Sequence, residues 1–303
     1  MIPMTLYFGS RSRLSVKYEQ LVIDLPDKDL QRKIPISEIG VIELDNGYST
    51  ITSACLQQLL AAGVVVLIGD EKHLPGGMLI PLQGHTLTQK HVQAQVQASL
   101  PLKKSIWKQL IQAKIRGQAQ GLELGDRAAE ALEKWAGEVR SGDPENLEAR
   151  AAAWYWPRFF GDESFRRDPD DLGINAALNY LYAVLRAWVA RSLVSAGLLP
   201  QLGVFHRNQY NPFPLADDVM EPYRPLADLW VRRLVQARPD LVHLDREAKA
   251  HLLRLPQLNV AVGEARPSMV TAIRGTCRSL VKIYLGEEKK LYLPTICPSI
   301  LTE

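Results

Sequence analysis

The chain has 303 residues, enough for two domains or one large one around a sizeable apolar core, and its 47% hydrophobic and 23% charged content excludes a disordered or fibrous protein. A formal net charge of +3 is too small to name a partner by itself. Cys55, Cys277 and Cys297 are odd in number, far apart and in no CxxC or CxxxH spacing, which argues against a disulfide framework or zinc knuckle and fits a reducing cytosol. The opening "MIPMTLYFGSRSRLSV" has no apolar run of signal-peptide length, and the densest apolar run, Ala61 to Ile68, is too short to span a bilayer. A soluble, cytoplasmic protein with no membrane partner is expected.

Along the chain, roughly the first 85 residues alternate and are rich in β-branched residues. "TLYFG", "RLSVKYEQLVIDL", "RKIPISEIGVIELD", "GVVVLIGD" and "GGMLIPL" are the predicted strands, with one short helix over about Ser53 to Ala62 capped by Thr52 or Ser53. "LQGHTLTQK" lacks periodicity and reads as a linker. Beyond it the pattern turns helical: Leu102, Ile106, Leu110 and Lys114 recur at i, i+4 spacing, with Trp107 and Ile111 on the adjacent face. "SGDPENLEARAAAWYWPRFFG" reads as a helix with Asp143 as cap, Pro144 at its first position and a buried stripe of Leu147, Ala151, Trp154 and Tyr155, leaving Glu148 at the stripe's edge. "GINAALNYLYAVLRAWVARSLVSAG" is the longest predicted helix, ended by Gly197, with Asn175, Asn179, Tyr182 and Arg186 sharing a polar face. An acidic helix is predicted from about Leu215, capped by Asp217 or Asp218 and kinked or delayed by Pro222 and Pro225, and a last helix from Pro267 to about Leu285. The Pro-broken tail "KKLYLPTICPSILTE" reads as mobile or docked on a partner. The fold class is α+β: a small β-rich domain over residues 1–84, then a larger all-α domain over 85–303.

Two features carry chemistry. From Lys72 to Leu122 the chain has seven Lys and Arg, three His and no Asp or Glu, a local field suited to a polyanion, unless it is a basic helix face answered by the acidic stretch from Glu123 to Glu148. In "GVFHRNQYNPFPLADDVMEPYRP", Asp218 and Glu221 are three apart and Asp217 and Glu221 four apart, so either pair faces one way on a helix. Carboxylates converging without a local lysine repel one another unless a cation fills the gap. His206, returned over the helix start by the "NQYNPFP" turn, and Glu148 from another helix would complete a set of oxygens and one imidazole suited to Mg²⁺ or Mn²⁺, and so to phosphodiester chemistry. Taken singly, each has a bland alternative: Asp217 and Asp218 as helix caps, His206 as a hydrogen-bonded structural residue, Glu221 paired with Arg224 or Arg207, Glu148 as a first-turn acid.

Together, "NLEARAAAWYWPRFFG", "GINAALNYLYAVLRA" and "HRNQYNPFPLADDVMEPYRPLAD" resemble, in order and spacing, the integrase and endonuclease family of CRISPR adaptation, and "ADDVMEPYRP" is most similar to its type II branch. The strands "RSRLSV" and "IPISEIGVIEL" extend the resemblance over nearly the full chain. It implies that Glu148, His206 and Glu221 are catalytic metal ligands for Mg²⁺ or Mn²⁺, with Asp218 an assisting acid and Glu145 a poorer match. His206 is then a ligand rather than a general base. The implied reaction is attack by the 3′-hydroxyl of a captured duplex on a phosphodiester at the repeat boundary, which inserts new spacers into a CRISPR array. The implied phosphate contacts are Lys90, Lys103, Lys104, Lys108, Lys114, Arg116, Arg186, Arg207 and Arg224. The implied partners are double-stranded DNA with 3′-hydroxyl ends, CRISPR repeat DNA, a second copy of the chain in a homodimer made partly by the β-rich domain, and a small ferredoxin-like companion.

Three rival readings remain at this level. A general metal-dependent nuclease on branched or single-stranded nucleic acid would use the same ligands. A non-catalytic DNA-binding protein would use the acids as caps and ion pairs. A carboxylate-bridged redox enzyme would want two Glu-x-x-His pairs, which the acid-bearing helices lack.

Overall fold

The computed structural model describes residues 2–71, 73–122, 127–168, 173–206, 208–239, 241 and 243–296. All its named strands lie in the first 79 residues. β1 (Met4–Phe8), β5 (Ile39–Leu44), β7 (Val65–Gly69) and β8 (Pro75–Leu79) form one sheet in that order, parallel except for the β7–β8 pair. β4 (Leu30–Pro35), β3 (Gln20–Leu25), β2 (Arg13–Lys17) and the two-residue β6 (Thr50–Ile51) form the other. "RLSVKYEQLVIDL" is therefore a hairpin: Lys17 pairs with Gln20 across Tyr18 and Glu19, both at positive φ (52° and 58°), the backbone that a two-residue turn on twisted strands requires. α1 (Ser53–Ala61) follows β6 and is capped by the Thr52 hydroxyl, which accepts from Cys55 N at 3.2 Å.

Strand alternation explains how the two parts join. Ile42, Val64 and Val66 point to a core shared with Leu14, Leu21, Ile23 and Leu59, while Val41, Val65 and Leu67 point the opposite way into the helical core. A strand covered on both faces is apolar throughout, which is why "GVVVLIG" shows no polar alternation. α6 (Ile174–Ser195) docks on this second face: Trp188 Nε1 donates to Thr5 Oγ1 at 3.3 Å, and a Cβ at Gly40 would lie 2.0 Å from the Trp188 ring. Contact this close admits only glycine on β5.

The helical region contains α2 (Thr88–Gln97), α3 (Leu100–Gly121), α4 (Arg127–Glu138), α5 (Leu147–Phe160), α6, α7 (Pro214–Met220), α8 (Arg224–Ala237), α9 (Arg246–Leu252) and α10 (Met269–Tyr284). Several boundaries correct the sequence reading. The second half of the expected linker is α2, which has no side-chain cap and is held by tertiary bonds: His91 Nδ1 donates to Ala196 O at 2.8 Å, and Gln95 bonds Leu199 and Leu202. α5 begins at Leu147, not Pro144; Asp143 caps it from one turn upstream, accepting from Leu147 N and Glu148 N at 2.9 and 3.0 Å. The α5 stripe runs Leu147, Ala151, Tyr155 and Phe159, with Trp154 only half-buried. The tail to Ile296 lies on its own chain: Gln109 bonds Lys289 O and Leu291 N, Gln120 accepts from Ile296 N, and Thr276 donates to Tyr292 O. Cys55 and Cys277 are buried free thiols, and Cys297 lies outside the described residues. No described helix is long and apolar enough to cross a membrane.

Candidate active site

Three elements far apart in sequence meet at one cation. Lys114 on α3 is 6% exposed, and its Nζ lies 2.5 Å from Glu148 Oε1 in the first turn of α5 and 2.6 Å from Glu221 Oε2 just past α7. The contact to Glu148 is a good hydrogen bond; that to Glu221 is as close but off the hydrogen-bonding direction. Arg224 Nε, one turn on, lies 3.1 Å from Glu221 Oε1. Burial disfavours charge on Lys114, but Glu221 and Glu148 outweigh it and raise its pKa; burial likewise opposes ionisation of Glu221, yet Arg224 and Lys114 hold it below the usual carboxylate range. With Arg224 counted, two basic side chains meet two carboxylates, and the four balance one another's charge.

Lys114 was among the expected phosphate contacts, and its burial between two carboxylates corrects that assignment. The signal was in the sequence: a lysine at the i+4 position of the Leu102, Ile106, Leu110 row must be buried with an acid.

The acidic segment is arranged differently from the expectation of capping. Asp217 and Asp218 lie inside α7 and are buried. Asp218 Oδ2 accepts from Val204 N and Phe205 N at 2.6 and 3.1 Å, while Oδ1 accepts from His206 N at 3.2 Å and from His206 Nδ1 at 2.6 Å. One carboxylate thus folds the 203–206 loop around itself. Gly203 is required there, because a Cβ would lie 2.7 Å from His206 O and 3.0 Å from Asp218 Oδ2. The bond to Asp218 raises the His206 pKa against the effect of burial. With Nδ1 fixed, Nε2 is the nitrogen left to act. Trp107 anchors the same loop, stacked on Phe205 at 4.1 Å and edge-on to His206 at 5.5 Å. Asp217, expected as a possible cap, instead accepts from Arg186 Nε at 2.6 Å and Asn211 Nδ2 at 2.7 Å.

Asn175 and Asn179 hold Arg167. Tyr182 OH donates to Asp228 Oδ1 at 2.5 Å, and burial raises Asp228 to about 7. Sequence reasoning passed over Arg167, which stands in no quoted motif, and over Asp228, which closes "HRNQYNPFPLADDVMEPYRPLAD" but was given no role. Glu145 pairs with Arg140 away from the cation.

Glu148 and Glu221 fit a hard cation, since both offer oxygens to the ammonium between them. Among the described residues no three His, Cys, Asp or Glu side chains stand close enough together to hold a metal ion, and His206 is directed to Asp218 rather than grouped with the glutamates. Beside His206 a polar hollow of about 410 Å³ is lined by Gln95, Lys103, Asn208, Gln209 and Asn211. Of the remaining expected phosphate contacts, Lys90, Lys104 and Arg116 are exposed, Lys103 and Lys108 half-buried, Arg186 and Arg224 engaged by Asp217 and Glu221, and Arg207 outside the described residues.

The chain has known relatives. Residues 6–253 match the family model of CRISPR associated protein Cas1. The chain is 38% identical over 297 residues to the CRISPR-associated endonuclease Cas1 of Neisseria meningitidis serogroup C, covering 97% of this chain and 96% of that one. In fold it is similar to a casposase bound to integration product (TM-score 0.79, 21% identity, 96% of this chain and 92% of that one) and to a chain of a Cas6-RT-Cas1–Cas2 complex (TM-score 0.76, 19% identity, 96% of this chain and 36% of that one). Family match, near-full-length identity and shared fold agree: the chain belongs to the Cas1 family of CRISPR-associated proteins.

Proposed function

We propose that this chain is a metal-dependent DNA integrase and endonuclease that inserts short duplexes into a CRISPR array. The observation that carries the reading is the meeting of Glu148 and Glu221, from separate helices, at a single cation. Glu148 and Glu221 would hold Mg²⁺ or Mn²⁺, with His206 the third ligand that the family resemblance implies, and the ion when bound stabilises the charge developing on the phosphoryl group. Asp218 acts by orientation: it fixes His206 through Nδ1 and leaves Nε2 directed outward. Lys103 and the amides of the adjoining hollow would hold the DNA strand, with Lys90, Lys104, Lys108 and Arg116 extending a basic face along α2 and α3. Lys114 and Arg224 would keep Glu221 ionised until the metal binds.

In the proposed reaction a 3′-hydroxyl oxygen forms a bond to phosphorus as the P–O3′ bond of the repeat strand breaks. The departing O3′ gains a proton as the attacking hydroxyl loses one, so one phosphodiester replaces another. Water as nucleophile gives nicking instead. Residues 1–84 would serve dimerisation and contacts with a small ferredoxin-like companion, and 85–303 catalysis. The fold relatives, a Cas6-RT-Cas1–Cas2 complex and a casposase bound to integration product, support protein and DNA partners of this kind.

The test is joining of a duplex with free 3′-hydroxyls to a supercoiled plasmid carrying a repeat, with and without the companion, in Mg²⁺, Mn²⁺ or chelator. Metal-dependent joining is expected for the wild type and none for Glu148→Gln. Nicking without joining would favour the general nuclease, and inactivity in every metal would favour a DNA-binding protein whose acids serve only as ion pairs.

A further inference from the structure

Among the described residues three cationic side chains are buried: Lys114, Lys249 and Arg191. Lys114 has Glu148 and Glu221, and Lys249 has Asp45 at 2.7 Å. Arg191, 8% exposed on α6, meets no carboxylate; its Nε donates to the backbone oxygen of Gly63 at 2.6 Å. Burial and the neighbouring Arg274 lower its pKa to about 10. On α10, Arg274, Arg278 and Lys282 follow at i, i+4 spacing, an arrangement of like charges that weakens a helix. Only Lys282 is answered, by Glu288 at 2.7 Å; Arg274 and Arg278 have no acidic partner among the described residues.

These groups line one hollow of about 480 Å³, together with His85, His91 and Ser195. The ring of His91 is fixed by its Nδ1 bond to Ala196 O and lies 4.8 Å from that of His85. Arg191 is five residues from Arg186 on α6, about 140° around the helix axis, so it points away from the Arg186–Asp217 pair. Folding alone does not favour three unanswered guanidinium groups around one concavity, because each repels the others and one is desolvated.

We propose that this hollow is a binding site for a phosphate monoester or polyphosphate anion, supplied by the terminal phosphate of a nucleic-acid strand or by a free nucleotide. A terminal phosphate gathers nearly two negative charges on three oxygens, which matches forked guanidinium donors better than a single carboxylate does. The volume suits one nucleotide unit, with the imidazoles as the flatter wall. The site is noncatalytic, and because Arg191 bonds Gly63 of the β-rich region, an occupant would sit against the joint between the two parts of the chain. The inference rests on charge and placement alone and survives a failure of the integrase reading.

Its test is calorimetric titration of the full chain and of the double variant Arg274→Gln/Arg278→Gln, in chelator. The probes are pyrophosphate, AMP, and a short single strand bearing either a 5′-phosphate or a 5′-hydroxyl. Pyrophosphate should bind the wild type and the double variant about tenfold or more weakly. Preference for the 5′-phosphorylated strand, lost in the variant, would identify a strand end; AMP binding without such preference would identify a free nucleotide. Equal pyrophosphate affinity in wild type and variant would overturn the proposal. So would absence of pyrophosphate binding with both strands weakened alike, which would make this a face for backbone phosphates. Glu148→Gln should bind pyrophosphate like the wild type, and a loss there would place the anion at the carboxylate site and overturn the proposal as well.

Discussion

Lys114 and Arg191 are both buried cations, 6% and 8% exposed, yet the first lies between two carboxylates and the second meets only a peptide oxygen. Around Lys114 the chain supplies both signs of charge and neutralises itself; around Arg191 it supplies one sign and leaves the other to come from outside. A self-neutralised site can be built and held without ligand, and a cation arriving there has to displace an internal one. An unanswered site is strained without ligand and gains from any anion that enters. The two regions handle the desolvation of charge in opposite ways.

The largest expected effect comes from breaking the neutral set. Glu221→Ala should abolish strand transfer and also destabilise the fold by about 3–5 kcal/mol, because it leaves Lys114 and Arg224 without their shared carboxylate. Glu221→Gln should lose activity with a smaller drop in melting temperature.

Next, Asp218→Asn should lower strand transfer about 10–100-fold while leaving the chain folded, since it loosens His206 without touching either glutamate. A variant with full activity would remove Asp218 from the positioning role. Lys114→Met sharpens the comparison directly. It should melt at a lower temperature than wild type in chelator, with two carboxylates left facing each other, and gain more from added Mn²⁺ than wild type does. Equal metal-induced shifts would show that Lys114 and the metal do not share a place.

The converse imbalance, a buried acid with too little positive charge, is Glu43. Burial raises it to about 7 from an ordinary 4.5; Tyr180 OH bonds one oxygen at 2.6 Å, and the other has no hydrogen-bond partner among the described residues. The folded chain then holds a proton that the unfolded chain has released, so stability falls as pH rises from about 4.5 to about 7 and levels off above that. Glu43→Gln should flatten that decline in denaturant titrations, and an unchanged pH profile would show that Glu43 is ionised in the fold. The smallest effect is at the arginine hollow: without ligand, Arg274→Gln/Arg278→Gln should melt no lower than wild type, because it removes repulsion and no ion pair. A clear loss of stability would mean those arginines already have partners.

How much was legible depended on whether the information was local. The α1 cap at Thr52, the β2–β3 region and the amphipathic row of α3 could be read from neighbours in sequence, and the structure has each of them. The start of α5 was misplaced because Asp143 caps from outside the helix across a turn with residues at positive φ. α2 was missed because its stabilising bonds go to residues about a hundred positions away. In the candidate site, the residue types at 148, 206 and 221 were visible as a motif, but the partners of each were not.

By itself the sequence determined an α+β chain of the Cas1 family, a β-rich start followed by helices, and the acids, histidine and basic stretch that its chemistry can draw on. Only the tertiary structure decided that Lys114 fills the gap between Glu148 and Glu221, that Asp218 orients His206 instead of capping a helix, and that Arg191 faces Arg274 and Arg278 with no acid beside them. The reason is that helix periodicity and turn chemistry act over a few residues, whereas the energy of a buried charge depends on which other charges the fold brings within a few ångströms, however distant they are along the chain.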